Sequence, residues 1–397
     1  MAKTISELRA DIVGRIDNLA DELLAVSHSI HANPELAFAE HHASALLCDT
    51  LAEHDLEPTR GAYTLDTAFE ASLQTQGDGP TVAILAEYDA LPGIGHACGH
   101  NLIATAALGA TLALQSVQAH LPGHIRLLGT PAEEKGGGKE LMARAGAFDG
   151  VDAAMMIHPA GVNLTTMPCI CVAEVEVIYH GQSAHASAMP HRGVNALDGL
   201  LIAYQAISNL RQHIRDQERI HGIITDGGQA PNIVPERAAG DFYVRAVDEK
   251  ALAALKPRVQ ACFEAGAKSS GAEVEINWAN VDYLDLNTNW PLADCFQRHG
   301  ESLGRDFLDP AKLGGAGSTD MGNVSHRVPS IHPMLAAAPR NVVIHNPEFE
   351  KWAGSETGDA AALDGAKALA LTTADFLLNP DLQAESSKAF NVSSGLS

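Results

Sequence analysis

Residues 4–30 carry apolar side chains at Ile5, Leu8, Ile12, Ile16, Leu19 and Leu23, and steps of three and four set them on one helical stripe. That helix is expected to stop before Asn33-Pro34, because a residue preceding proline is pushed out of the helical region. Four short apolar runs follow, each closed by polar residues: TVAILA (81–86), HIRLLG (124–129), VDAAMMI (151–157) and NVVI (341–344). Runs of this length bounded by turn residues predict buried strands. Helical stretches separate the first three, the clearest being NLIATAALGATLALQSVQ (101–118). Strand–helix alternation predicts an α/β fold with a largely parallel sheet.

Past residue 170 the pattern changes. CVAEVEVIYHG (171–181) alternates with period two, as a half-exposed antiparallel strand does. Helical NALDGLLIAYQAISNLRQHI (195–214), strand-like GDFYVRAV (240–247), helical KALAALKPRVQACFEAGAK (250–268) and a last strand, EVEINWA (273–279), come next. This predicts a small α+β module over 171–282, inserted into an α/β domain built from 1–170 and 283–397. The tail LQAESSKAFNVSSGLS (382–397) is polar and is expected to fray.

Composition narrows the class. The 397 residues are 46% hydrophobic and 19% charged, the profile of a globular enzyme. A net charge of −23 argues against nucleic acid or an anionic membrane as partner, since both need clustered Lys and Arg. The N-terminus lacks the apolar core of a secretory signal, and no apolar run approaches the ~18–20 residues of a membrane span. The cysteines at 48, 98, 169, 171, 262 and 295 are scattered and read as reduced thiols, so a cytoplasmic protein is expected.

In an open parallel sheet, ligands bind beyond the carboxyl ends of the strands. TVAILA is followed by Glu87-Tyr88-Asp89 and then by the loop HACGH (96–100), HIRLLG by Thr130-Pro131-Ala132-Glu133-Glu134, VDAAMMI by His158 and NVVI by His345. Four expected strand ends thus carry Cys98, His100, Glu133, Glu134, His158 and His345. Thiolate, imidazole and carboxylate together are the ligand set of zinc and related metals. Two adjacent carboxylates allow a division of labour, one ligating while its neighbour acts as general base on a water.

HANPELAFAEHHAS (31–44), EYDALPGIGHACGHN (87–101), GTPAEEKGGGK (129–139), GQSAHAS (181–187), PNIVPE (231–236) and GSTDMGNVS (317–325) resemble the co-catalytic metal amidohydrolases, which include aminoacylases, auxin-conjugate hydrolases and carboxypeptidase G. The likeness covers about residues 25–380. It is strongest to the p-aminobenzoyl-glutamate hydrolase and Xaa-Arg dipeptidase branch, whose cysteine loop ends in Gly-His-Asn and whose late motif reads Ser-Thr-Asp.

The resemblance implies a metallopeptidase-like catalytic domain with an inserted lid and dimerisation domain, and two divalent metals (Zn, Mn, Co or Ni) bridged by Cys98. His100 and His158 would complete one metal, Glu134 and His345 the other. Glu133 would take a proton from the bridging water, with Asp89 orienting a ligand. Asp89 reads equally as a turn residue ahead of Pro92. In a homodimer joined through the inserted domain, His185 would serve the partner's oxyanion, while Asn232 and Arg245 would grip a substrate carboxylate. Without the resemblance Arg245 reads equally as a strand-edge surface charge, and Asn232 reads also as a turn residue. Ser318 and Thr319, in the glycine-rich GGAGSTDMG (314–322), are expected to line the substrate pocket. The implied substrate is an N-acyl or N-aroyl amino acid, or a dipeptide. Two rivals stand beside it. One is a metal-free hydrolase with Cys98 as nucleophile, which leaves Glu134, His158 and His345 without a role. The other is a binding protein with a structural zinc, which needs no spare carboxylate.

Overall fold

The computed structural model describes residues 3–312 and 317–393. The chain divides into two compact units, Cys169–Asp285 and the remainder, against expected module ends at 171 and 282.

In the larger unit, a six-stranded sheet runs in the order Thr59–Arg60, Phe69–Gln74, His124–Thr130, Thr81–Glu87, Ala153–Met155, Ser330–Ile331. From His124–Thr130 onward the strands are parallel, and Phe69–Gln74 joins antiparallel, with Thr59–Arg60 as the antiparallel edge beyond it. Thr81–Glu87 is buried along its whole length, as a central parallel strand covered on both faces must be. The helix His100–Val117 is buried at every position except Gln115 and Ser116. Its small residues let neighbours close in: a Cβ on Gly109 would stand 2.9 Å from Leu23 and 3.1 Å from Ala366. The stretch His100–His120 is long and apolar enough to cross a membrane by length and composition, contrary to expectation. Its burial against these helices makes it the core helix of the unit.

The inserted unit has its own antiparallel sheet, ordered Glu273–Trp278, Cys171–His180, Arg237–Ala246, Arg219–Asp226. Cys171, Ala173, Val175, Val177 and Tyr179 alternate inward and share a core with Leu200, Ile207, Leu255 and Phe263 of the helices Ala196–Leu210 and Glu249–Ser270.

Three further expectations need correction. The first helix is two, Ile5–Asn18 and Ala20–Ala32, interrupted at Leu19. NVVI is not a strand. It is a loop between Pro339 and Pro347, tied down by Val342 N–H to Pro339 O at 2.9 Å and His345 N–H to Ala97 O at 2.8 Å. The strands in that region are the short Ser330–Ile331 and Met334–Ala336. The tail does not fray through residue 393: Pro380–Ser393 is a helix. It is held by the burial of Leu382 and Ser386, whose carbonyl accepts from Asn289 Nδ2 at 2.8 Å. Residues 394–397 of that tail and 314–316 of the glycine-rich loop lie outside the described residues.

Candidate metal centre

The loop that follows Thr81–Glu87 turns through Gly99, whose φ of 79° makes it a left-handed helix cap. That turn puts Cys98 just ahead of the core helix and His100 at its first residue. Thr130 ends its strand, and Ala132 follows at φ 60°. The buried Glu40 accepts the Ala132 N–H at 2.9 Å, which fixes the backbone just ahead of Glu133-Glu134. His158 opens the strand His158–Ala160. His345 has a left-handed φ of 64° and comes from the loop after Val343.

These segments converge on the Cys98 sulfur. Sγ lies 3.4 Å from His158 Nε2 and 3.3 Å from His345 Nε2. His345 Nε2 is 3.5 Å from Glu134 Oε2, and His100 Nε2 is 3.8 Å from Glu134 Oε1 and 3.9 Å from Glu133 Oε2. Cys98, His100 and His158 form one group with donor atoms within 4.8 Å of one another, and Cys98, Glu134 and His345 form a second. The thiol belongs to both.

The donor set fits divalent metals on three observations. First, His100 Nε2 and Glu134 Oε1 are buried with no hydrogen-bond partner, an arrangement that costs about 1–3 kcal/mol per group unless something satisfies it. Second, both buried imidazoles of the donor set are held through Nδ1, leaving Nε2 for the cluster: His158 Nδ1–H donates to Pro159 O at 2.8 Å, and His100 Nδ1 meets Asp89 Oδ1 at 3.1 Å. Such partners fix the tautomer and raise ligand basicity. Third, Asp89 Oδ2 also accepts the Glu134 N–H at 2.9 Å, so one carboxylate orients two donors.

Titration follows the burial. Burial and then His100 lower His158 to about 3, leaving a neutral ring. Burial opposes charge on His100, but Cys98 and Asp89 outweigh it and raise that pKa well above its ordinary value. Burial pushes the Cys98 thiol well up, with Glu134 adding to the shift. Glu133 rises strongly through burial and the neighbouring carboxylates of Glu87 and Glu134, and burial raises Glu134. A dication among these groups inverts the last three directions, since a coordinating thiol is deprotonated outright.

Several residues of the site carry no assignment from sequence reasoning. Lys139 is fully buried; its Nζ donates to Asp320 Oδ1 at 2.7 Å and to Glu87 Oε1, and its N–H reaches Asp320 Oδ2 at 2.9 Å. The other oxygen of Glu87 is 3.5 Å from His100 Nε2 and has no hydrogen bond. His332 is buried with both ring nitrogens unpartnered, 5.4 Å from the His158 ring. His96, the outer histidine of HACGH, stacks on His31 at 6.2 Å and joins neither donor group. Thr319 is buried with Oγ1 accepting from Met321 N–H at 3.2 Å, while Ser318 is half-buried. The only sequence signal for Lys139, Glu87 and Asp320 is a charge beside an apolar run or inside a glycine-rich loop.

His185, Asn232 and Arg245 belong to the inserted unit. There the segments 184–186 and 232–234 pair, with Ala186 N–H to Asn232 O and Val234 N–H to Ala184 O both at 3.0 Å. That pairing sets exposed His185 opposite Ile233, next to Asn232. Arg245 lies on the strand Arg237–Ala246, with Nε 3.2 Å from His221 Nε2 and its guanidinium 5.7 Å from the Tyr243 ring centre.

A sheet of this topology, with a thiol, imidazoles and carboxylates gathered at its edge, defines a metallohydrolase. Residues 83–373 match peptidase family M20/M25/M40, and the chain belongs to that family. It is 40% identical to the Xaa-Arg dipeptidase of Mus musculus over 96% of this chain and 91% of that protein. It is 33% identical to a p-aminobenzoyl-glutamate hydrolase polypeptide of Escherichia coli over 66% of this chain and 59% of that one. Among solved structures, a dinuclear metal-binding M20 peptidase of Bacillus subtilis matches with TM-score 0.67 and 22% identity over 90% of this chain and 99% of its own. An aminohydrolase from methicillin-resistant Staphylococcus aureus, described as putative, gives 0.75 and 19% over 93% and 100%. The protein is a metal-dependent amidohydrolase.

Proposed function

We propose that the enzyme hydrolyses the linear amide bond on the amino side of an amino acid with a free carboxylate, the substrate being a dipeptide or an N-acyl or N-aroyl amino acid. The observation that carries the reading is the Cys98 thiol shared by two donor groups, with Glu133 at their margin. Extensive likeness to a dipeptidase that carries Xaa-Arg in its name favours dipeptides with a basic C-terminal residue. Likeness to the p-aminobenzoyl-glutamate hydrolase supports the aroyl alternative.

Cys98, His100 and His158 would hold one divalent ion and Cys98, Glu134 and His345 the other, with zinc, manganese, cobalt and nickel all compatible with these donors. Ions held there supply Lewis acidity, drawing charge from the scissile carbonyl and lowering the pKa of the attacking water. Glu133 removes the proton from that water and returns it to the leaving amine. Asp89 keeps the His100 ring turned inward, and the Pro159 carbonyl does the same for His158. His185, supplied by the partner copy of a cytoplasmic homodimer, donates to the oxyanion. Arg245 and Asn232 take the substrate carboxylate, with Ser318 and Thr319 along the pocket.

A panel of dipeptides and N-acyl amino acids, each assayed with different added metals, tests the reading. Glu133→Gln is expected to lower kcat about 10²–10⁴-fold with metal content unchanged. Full activity after exhaustive chelation would refute the assignment. Arg245→Ala should raise KM steeply for substrates with a free carboxylate, and an unchanged KM removes that residue from the site.

A further inference from the structure

A second set of ligand-type side chains lies in the α/β unit, in none of the motifs above. The helix Trp290–Ser302 carries Cys295 and His299, four apart and therefore on one face. Asp375 reaches them from the helix Glu356–Leu378. Its Oδ2 is 2.9 Å from His299 Nε2 and 3.7 Å from Cys295 Sγ, and the three donor atoms lie within 4.8 Å of one another. Cys295 is 1% exposed and His299 7%. His299 and Asp375 line a cleft of about 710 Å³, with Arg9, Asp17, Arg298 and Ser302 at its exposed margin.

We propose that Cys295, His299 and Asp375 bind a zinc ion, separate from the catalytic centre. One thiolate, one imidazole and one carboxylate give three zinc donors of the usual kinds, and the open cleft leaves the fourth position to water. On binding, the Cys295 thiol releases its proton to solvent, the His299 ring gives up the Nε2 proton that faces Asp375 and carries its proton on Nδ1, and the thiolate and carboxylate together neutralise the dication. The competing occupant is Arg9, whose guanidinium makes three bonds to Asp375, at 3.3, 2.9 and 2.7 Å. That side chain is 45% exposed, so it can exchange Asp375 for water. An Arg9–Asp375–His299 ion pair alone accounts for two members of the triad. The thiol of Cys295, buried beside them, donates to the same carboxylate oxygen at 3.7 Å, which brings a third zinc-type donor to that point.

The test uses the full chain. Zinc is titrated into the protein, the bound equivalents are counted after desalting, and cadmium-thiolate ultraviolet absorption is recorded in parallel. Wild type is expected to hold one equivalent more than Cys295→Ser and to show the larger cadmium band; Cys98, present in both, cancels. Arg9→Ala should tighten this extra equivalent about fivefold, equivalent to ~1 kcal/mol. Equal zinc counts in wild type and Cys295→Ser overturn the proposal. If Cys295→Ser does not fold, the Arg9→Ala titration decides: an affinity no tighter than wild type, or no extra equivalent, overturns it.

Discussion

Asp89 shows how much one carboxylate can organise. It bonds the His100 ring through one oxygen and the Glu134 backbone through the other. Asp89→Asn should therefore weaken metal binding about 10–100-fold, the usual loss for such a partner, as read by competition with a chromophoric chelator. Lys139 works in the opposite sense. Burial disfavours its charge, yet Asp320 and Glu87 hold it protonated. Lys139→Met strands both carboxylates in the interior, and urea denaturation should show a loss of about 3–5 kcal/mol. Acid acts on the buried histidines. Burial lowers His96 from 6.5 to about 3 and His332 well below 6.5. As pH falls below 6.5 the unfolded chain takes protons that the folded chain refuses, so stability is lost between there and about 3. The histidines' share of the stability should fall over that window, read as a gap between the denaturant midpoints of metal-free wild type and His332→Phe that shifts against wild type as the pH is lowered. Cys98, Glu133, Glu134 and His158 are legible in the sequence because each follows an apolar run. His345 is reached there through a strand that does not form. Lys139 is out of reach: its partners lie 52 and 181 positions away, and a lysine among glycines reads as solvated.

At the level of elements, helices and central strands are legible where burial is one-sided or complete. The strand Phe69–Gln74 is not, because six residues with Glu70, Ser72 and Gln74 facing outward look like a polar linker. Arg219–Asp226 is hidden for a similar reason: at the edge of its sheet it buries only Ile220, so the apolar contrast is weak. The tail helix Pro380–Ser393 escapes a local reading because two buried positions, Leu382 and Ser386, suffice to dock it, and nothing nearby in sequence reveals what they dock against. The turn into the core helix carries its own test. Gly99 has φ 79°, and a Cβ there would sit 2.5 Å from Pro159 Cγ. Gly99→Ala combines a strained backbone with a clash beside His158. A cost of at least about 1–3 kcal/mol is expected, seen as a lower Tm together with reduced metal occupancy.

Each of the two units has its own hydrophobic cluster, and every donor to the candidate metal centre belongs to the larger one. Calorimetry should therefore resolve a metal-sensitive and a metal-insensitive transition. Saturation at about 100 times Kd adds roughly 2.7 kcal/mol to the folded state that binds. Chelation should lower only the transition of the α/β unit, and an equal shift of both would show that they unfold as one.

The core helix His100–Val117 has a consequence for descent. Its first residue faces the donor cluster, its body is the packing centre of the unit, and Ser116 is its one exposed position. Almost any replacement along it disturbs a neighbour already in contact, so lineages of this chain have a single open site in eighteen at which to drift. A saturation library of this segment should return a nearly bare map, with tolerated variety piled at Ser116.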